Sequence, residues 1–120
     1  MSLRELLGKE SPWPRAAIPS EVKVGAYTYR IATDKATLNE TQVEHGQGLY
    51  GALVYGKQLI VLDVDSGADV LADTVLHEVL HSVFRFIRFD DDEDLVARMT
   101  PVLLGVLRDN PDLVRFLTHA

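Results

Sequence analysis

The sequence predicts an α+β fold, and two observations carry that prediction. Between residues 21 and 64, short apolar stretches either alternate with polar residues or run on continuously, which is how strands read. From residue 68 to the end, apolar residues recur at three- and four-residue spacing, which is how amphipathic helices read. The chain has 120 residues, of which 47% are hydrophobic and 25% charged. That is the length and make-up of one domain, spanning residues 1–120, with enough apolar side chains to bury a core.

Taken in order, Leu3, Leu6 and Leu7 favour a short helix that ends near Gly8. The Ser11-Pro12-Trp13-Pro14 stretch then forces extended backbone, and Trp13 reads better as an anchor on the core than as a contact for a partner. Val22 and Val24 share one phase of alternation, and Tyr27, Tyr29 and Ile31 the other. Gly25 lies between them, so this region is two short strands or one bulged strand. Residues 33–48 are polar without clean periodicity and read as a connecting loop with at most a helical turn over 38–43. His45 lies in it, either as a site residue or as a solvated loop histidine. Residues 49–55 and 58–64 are the clearest strands, joined at Gly56-Lys57 as a hairpin. Asp65 or Ser66 then suits a turn, or a cap for the next helix.

That helix is predicted from about Gly67–Asp69 to Arg88, with Leu76, Leu80, Val83, Phe84 and Ile87 as its buried stripe and Arg85 and Arg88 meeting solvent. An acidic run follows, Asp90-Asp91-Asp92-Glu93-Asp94, suited to a helix N-terminus where the dipole favours anions. Leu95, Val96, Met99, Val102, Leu103, Val106 and Leu107 continue as a helix. Pro101 either kinks it or starts a new one behind Thr100. Asp109-Asn110-Pro111 stops and restarts the chain, and Leu113, Phe116 and Leu117 define a last short helix.

Composition narrows the function. A formal charge of -6 and a pI near 5.1 disfavour a nucleic-acid surface. The absence of cysteine excludes disulfides, cysteine-ligated zinc and thiol catalysis. No apolar run reaches the roughly 20 residues that span a bilayer, and the first residues lack a signal-peptide pattern. The expectation is a cytoplasmic protein without a membrane partner.

The chemistry is concentrated in His77-Glu78-Val79-Leu80-His81, an H-E-x-x-H pattern on the predicted central helix. Residues four apart share a helix face, so both imidazoles can grip one Zn²⁺, while Glu78 projects from a neighbouring flank and can act on a bound water as general base. A catalytic zinc usually takes three protein ligands and keeps a fourth position open. The acidic run can return to the histidines if the chain reverses at residues 88–91. Glu93, which borders the apolar stripe of the following helix, is the preferred third ligand. Asp92 and Asp94 compete with it, and a merely solvated acidic turn is the plainer alternative. In such a site the metal would acidify its water and polarise a carbonyl, with Glu78 taking the proton and returning it to the leaving amine. Tyr50, Tyr55, His45 and Arg98 are all candidates for an oxyanion donor. An extended peptide could lie along an exposed strand edge of the hairpin.

The run Asp73-Thr74-Val75-Leu76-His77-Glu78-Val79-Leu80-His81-Ser82-Val83 resembles the active-site helix of the zincin metallopeptidases. With the preceding hairpin, the acid-led helix and the Leu107-Arg108-Asp109-Asn110-Pro111 segment, residues 50–117 are similar to small phage- and prophage-type minimal gluzincins related to the SprT-like and ImmA/IrrE-like peptidases. The resemblance implies a small, mostly antiparallel sheet packed on the His77–His81 helix, with a second helix closing the metal site. It implies a zinc peptidase with His77 and His81 as ligands, Glu78 as base and a downstream glutamate, here Glu93, as third ligand. The cysteine zinc ribbon of many SprT-like proteins is missing, which speaks against a DNA-linked role. A peptide or protein substrate is expected. The competing function is a zinc-stabilised, non-catalytic binding, regulatory or phage-assembly protein, and the presence of Glu78 favours the enzyme.

Overall fold

The structure is a computed structural model and describes residues 17–45, 50–90 and 92–119. The expected first helix and Trp13 lie outside the described residues. Four strands form one mixed sheet in the order β1-β2-β4-β3. The strands are β1 (Glu21–Val24), β2 (Tyr27–Ala32), β3 (Gly51–Val54) and β4 (Leu59–Leu62). The two hairpin pairings, β1 with β2 and β3 with β4, are antiparallel, but the hairpins join each other through β2 and β4 in parallel. The four helices are α1 (Lys35–His45), α2 (Ala68–Phe86), α3 (Glu93–Asp109) and α4 (Pro111–His119).

Of the two readings open at Gly25, the hairpin is the one observed. Gly25 has φ +60°, and a Cβ built there would lie 2.3 Å from the Phe86 ring. The turn therefore needs glycine twice over, for its left-handed backbone and for the close approach of α2. β4 is apolar at every position because it is central and covered on both faces. Ile60 and Leu62 face α2 together with Val24, Tyr29 and Ile31, while Leu59 and Val61 face α1 with Ala32 and Leu38.

Residues 35–45 form a helix where the sequence reads as loop. Among its described side chains only Leu38 and Thr41 are buried, and with Leu38 and Val43 as its only large apolar residues α1 leaves no periodic signal. Its start is fixed instead by Asp34, whose carboxylate accepts hydrogen bonds from the Thr37 N–H at 2.9 Å and the Thr37 hydroxyl at 2.6 Å. Those bonds hold the exposed Asp34 carboxyl below its ordinary titration range, the side-chain bond from Thr37 contributing most.

The expected buried stripe of α2 is met at Leu80, which is buried, and at Val83, which packs on the core, but not at its end. Leu71, Val75, Val79 and Val83, each four residues on from the last, lie on the sheet, whereas Ile87 is 59% exposed just past the helix end. Leu76 lies instead toward α3, beside Leu104 and Leu107. A helix packed on a sheet and a second helix has two apolar flanks, and the pattern alone does not say which meets which. Neither Asp65 nor Ser66 caps α2. Asp63 accepts from the Asp65 N–H and caps a one-turn 3-10 segment, Val64–Ser66, and Gly67 begins α2 at φ +96° without a side-chain cap. α3 runs unbroken through Pro101, and α4 restarts at Pro111 as expected. Among the described residues no helix is long and apolar enough to cross a membrane.

Candidate metal centre

α2 carries His77 and His81 one turn apart on the flank turned away from the sheet. The imidazoles pack edge to face with ring centroids 4.7 Å apart. Their side chains are 19% and 11% exposed, so the helix presents both from a sheltered position. Glu78 is buried as well, at 8% exposure, and is not the surface acid that an accidental motif would give. On a helix it projects about 100° around from His77, which keeps it out of the same donor set but beside it. The neighbouring turn of α2 is in close contact with the sheet edge. A Cβ built at Gly51 of β3 would lie 2.4 Å from the Thr74 methyl.

Glu93 reaches the histidines because the chain reverses sharply after α2. The Phe89 N–H donates to the Phe84 carbonyl at 3.0 Å and the Arg88 N–H to the Arg85 carbonyl at 3.1 Å. Arg88 is left-handed at φ +57°. Together these are the paired bonds of a Schellman stop, completed by the Phe84–Phe89 ring contact at 6.1 Å. Glycine normally fills this left-handed position, so an arginine there gave no signal in the sequence. The acids that follow divide the work. Asp92 caps α3, accepting from the Asp94 and Leu95 N–H groups at 2.9 and 3.2 Å. Asp94 pairs with Arg98 at 3.1 Å. Glu93 alone points back, its two carboxylate oxygens 2.9 Å from His77 Nε2 and 2.5 Å from His81 Nε2. Of the three competing carboxylates, the structure therefore brings Glu93 to the histidines. An Asp just before a helical pattern is the N-cap signature, and that signal separates Asp92 from the ligands.

Among the described residues, His77, His81 and Glu93 are the one group whose ligand atoms converge, all within 4.8 Å of one another. The two Nε2 atoms are 3.1 Å apart. Three short contacts among these groups cannot all be hydrogen bonds when the carboxylate is ionised. If both Nε2 atoms carry protons, both serve the carboxylate but face each other as donors. If only one does, the other nitrogen turns a lone pair toward a carboxylate oxygen. A cation at the centre relieves every arrangement, since all three groups then act as ligands. The donor spacings, 2.5 to 3.1 Å, are shorter than the edges of a zinc tetrahedron, roughly 3.3–3.4 Å for ligand distances of about 2.0–2.1 Å, so a bound ion would spread the three groups slightly. The arrangement can hold a metal ion, with the 70% exposed Glu93 side chain leaving one side of the group open to solvent.

Among the described residues no further histidine or acid joins this group. His119 ends α4. Arg98 is engaged by Asp94, and Tyr50 is 60% exposed just ahead of β3. The side chains of His45 and Tyr55 lie outside what the structure describes. No family model, no curated protein and no solved structure matches this chain.

Proposed function

We propose that this chain is a zinc-dependent metallopeptidase of the zincin kind. His77, His81 and Glu93 would hold the metal, and Glu78 would be the general base. The observation that carries the reading is the triangle of His77, His81 and Glu93, whose three contacts an ionised carboxylate and two imidazoles cannot all make as hydrogen bonds and a cation can bridge. Two neutral imidazoles and a carboxylate are the donor set of a catalytic zinc with one position left open. Bound there, zinc would supply Lewis acidity and lower the pKa of a water. Glu78 is fixed by burial on the adjoining flank, where its carboxylate can take a proton during attack on a peptide carbonyl and deliver it to the leaving amine. The β3 edge, held against α2 at Gly51, offers backbone to which an extended peptide substrate could pair.

The test is metal content by elemental analysis, followed by cleavage of an unstructured protein such as casein read by mass spectrometry. One zinc per chain, and cleavage abolished in Glu78→Gln with zinc retained, is the expected result. Zinc without cleavage of any peptide would leave a metal-stabilised binding protein. A folded chain that takes up no zinc would end the peptidase reading.

A further inference from the structure

One turn beyond His81 on the same flank of α2 lies Arg85, at the wall of a separate pocket of about 500 Å³. Its other walls come from both hairpins: Tyr27 and Tyr29 from β2, and Gly56 and Gln58 from the loop between β3 and β4. Phe86 forms an aromatic wall, held edge to face against Tyr27 with centroids 5.9 Å apart and pinned by its contact with Gly25. Arg85 is exposed, and Tyr29 is 5% exposed. Beyond its chain neighbours, a Cβ at Gly56 would meet nothing within 4 Å among the described residues.

Gln58 is the telling residue. It adopts φ +47°, a conformation glycine would take at less cost. The four-residue loop spends its glycine at position 56 and keeps an amide side chain at the strained position that lines the pocket. Guanidinium, amide and phenol donors around an aromatic wall are the equipment for gripping a carboxylate.

We propose that this pocket is a specificity subsite that seats a carboxylate of a bound peptide on Arg85, with Gln58 as the supporting donor. The proposal rests on the peptidase reading for its purpose but not for its detection. The four residues from His81 to Arg85 advance about 6 Å along the helix, close to two residues of an extended peptide at about 3.3 Å each. The carboxylate would therefore sit about two residues from the bond at the metal centre. It can come from an acidic side chain or from a peptide C-terminus, and the chemistry of recognition is the same.

The test uses the full zinc-loaded chain carrying Glu78→Gln, so that binding is read without turnover. Three peptides are titrated by amide NMR: acetyl-Ala-Ala-Glu-Ala-Ala-amide, its glutamine counterpart, and acetyl-pentaalanine with a free C-terminus. At least one carboxylate peptide should bind about five- to tenfold more tightly than the glutamine peptide, the yield of charge-assisted hydrogen bonds at a partly exposed site. The shifts should centre on Tyr27, Gly56, Gln58 and Arg85, and whichever carboxylate peptide wins identifies the source. Arg85→Gln should abolish the preference. Gln58→Gly should weaken binding while raising Tm, a split that a purely structural residue would not produce. Equal binding of all three peptides, no binding, or a preference that survives Arg85→Gln overturns the proposal. Cleavage by the wild-type chain separates it from the wider reading. Acidic preference in binding without cleavage sinks the peptidase and keeps the subsite, whereas cleavage with no such preference does the reverse.

Discussion

His77 and His81 arrive at the candidate metal centre by a different route from Glu93. The histidines sit on one helix, one turn apart, with side chains 19% and 11% exposed. Their relative placement follows from helix periodicity, and α2 is held by the sheet beneath it. Glu93 is the first residue of another helix and its side chain is 70% exposed. Its place depends on a left-handed Arg88, a Schellman stop and the cap made by Asp92. Half of the centre is thus local and sheltered, and the other half is delivered by a turn. Two such halves should respond differently to damage.

The largest effect should come from the local half. His81→Ala is expected to lower zinc affinity by more than about 100-fold, beyond the 10–100-fold that losing a residue which merely orients a ligand costs. Glu93→Ala should fall within that 10–100-fold range, because its solvent-facing position can be taken by water. Competition with a chromophoric chelator measures both, and equal losses would break the distinction between the halves. Asp92→Ala should reduce stability by about 1 kcal/mol, the usual value of an N-cap, with zinc stoichiometry kept. Loss of zinc in that variant would show that the Asp92 cap is needed to hold Glu93 at the histidines. Arg88→Gly should stabilise the chain by about 0.5–1 kcal/mol, by relieving the left-handed position without moving Glu93. Urea denaturation would detect either change, and a destabilised Arg88→Gly would show that the arginine side chain itself holds the turn.

The smallest effect lies outside the centre, where Asp34 caps α1 as Asp92 caps α3. The folded-state pKa of Asp34 is lowered from an ordinary 3.8. Its contribution is therefore present above that value and is lost as pH falls through the folded pKa. Thermal melts of wild type and Asp34→Ala should differ near neutral pH and converge in acid. A gap that stays constant down to pH 3 would mean that the ionised carboxylate contributes nothing there.

Much of this molecule was legible in the sequence, and the misses have physical causes. The two hairpins were visible because strands facing a core alternate, or are apolar throughout when both faces are covered. α2 and α4 were visible because their apolar residues keep helical spacing. α1 is not legible in the sequence because a helix whose only large apolar residues are Leu38 and Val43 has almost no stripe to see. The sequence shows Leu80 and Val83 as buried positions of α2 but not that Leu71, Val75 and Val79 meet the sheet, because Leu76 and Leu80 keep helical spacing as faithfully as Val75 and Val79 do. Among the acids at 92–94 the N-cap signature marks Asp92, and the turn after α2 decides that Glu93 and not Asp94 meets the histidines.

By itself, the sequence determined that two imidazoles and a carboxylate would stand on adjoining flanks of one helix, since 3.6 residues per turn leaves His77, Glu78 and His81 no other arrangement. Only the tertiary structure decided which acid joins them and what lies beside them. That choice depends on where α3 starts and on which hairpin loops meet the end of α2. Both are set by the packing of elements distant in the chain, which no local spacing records.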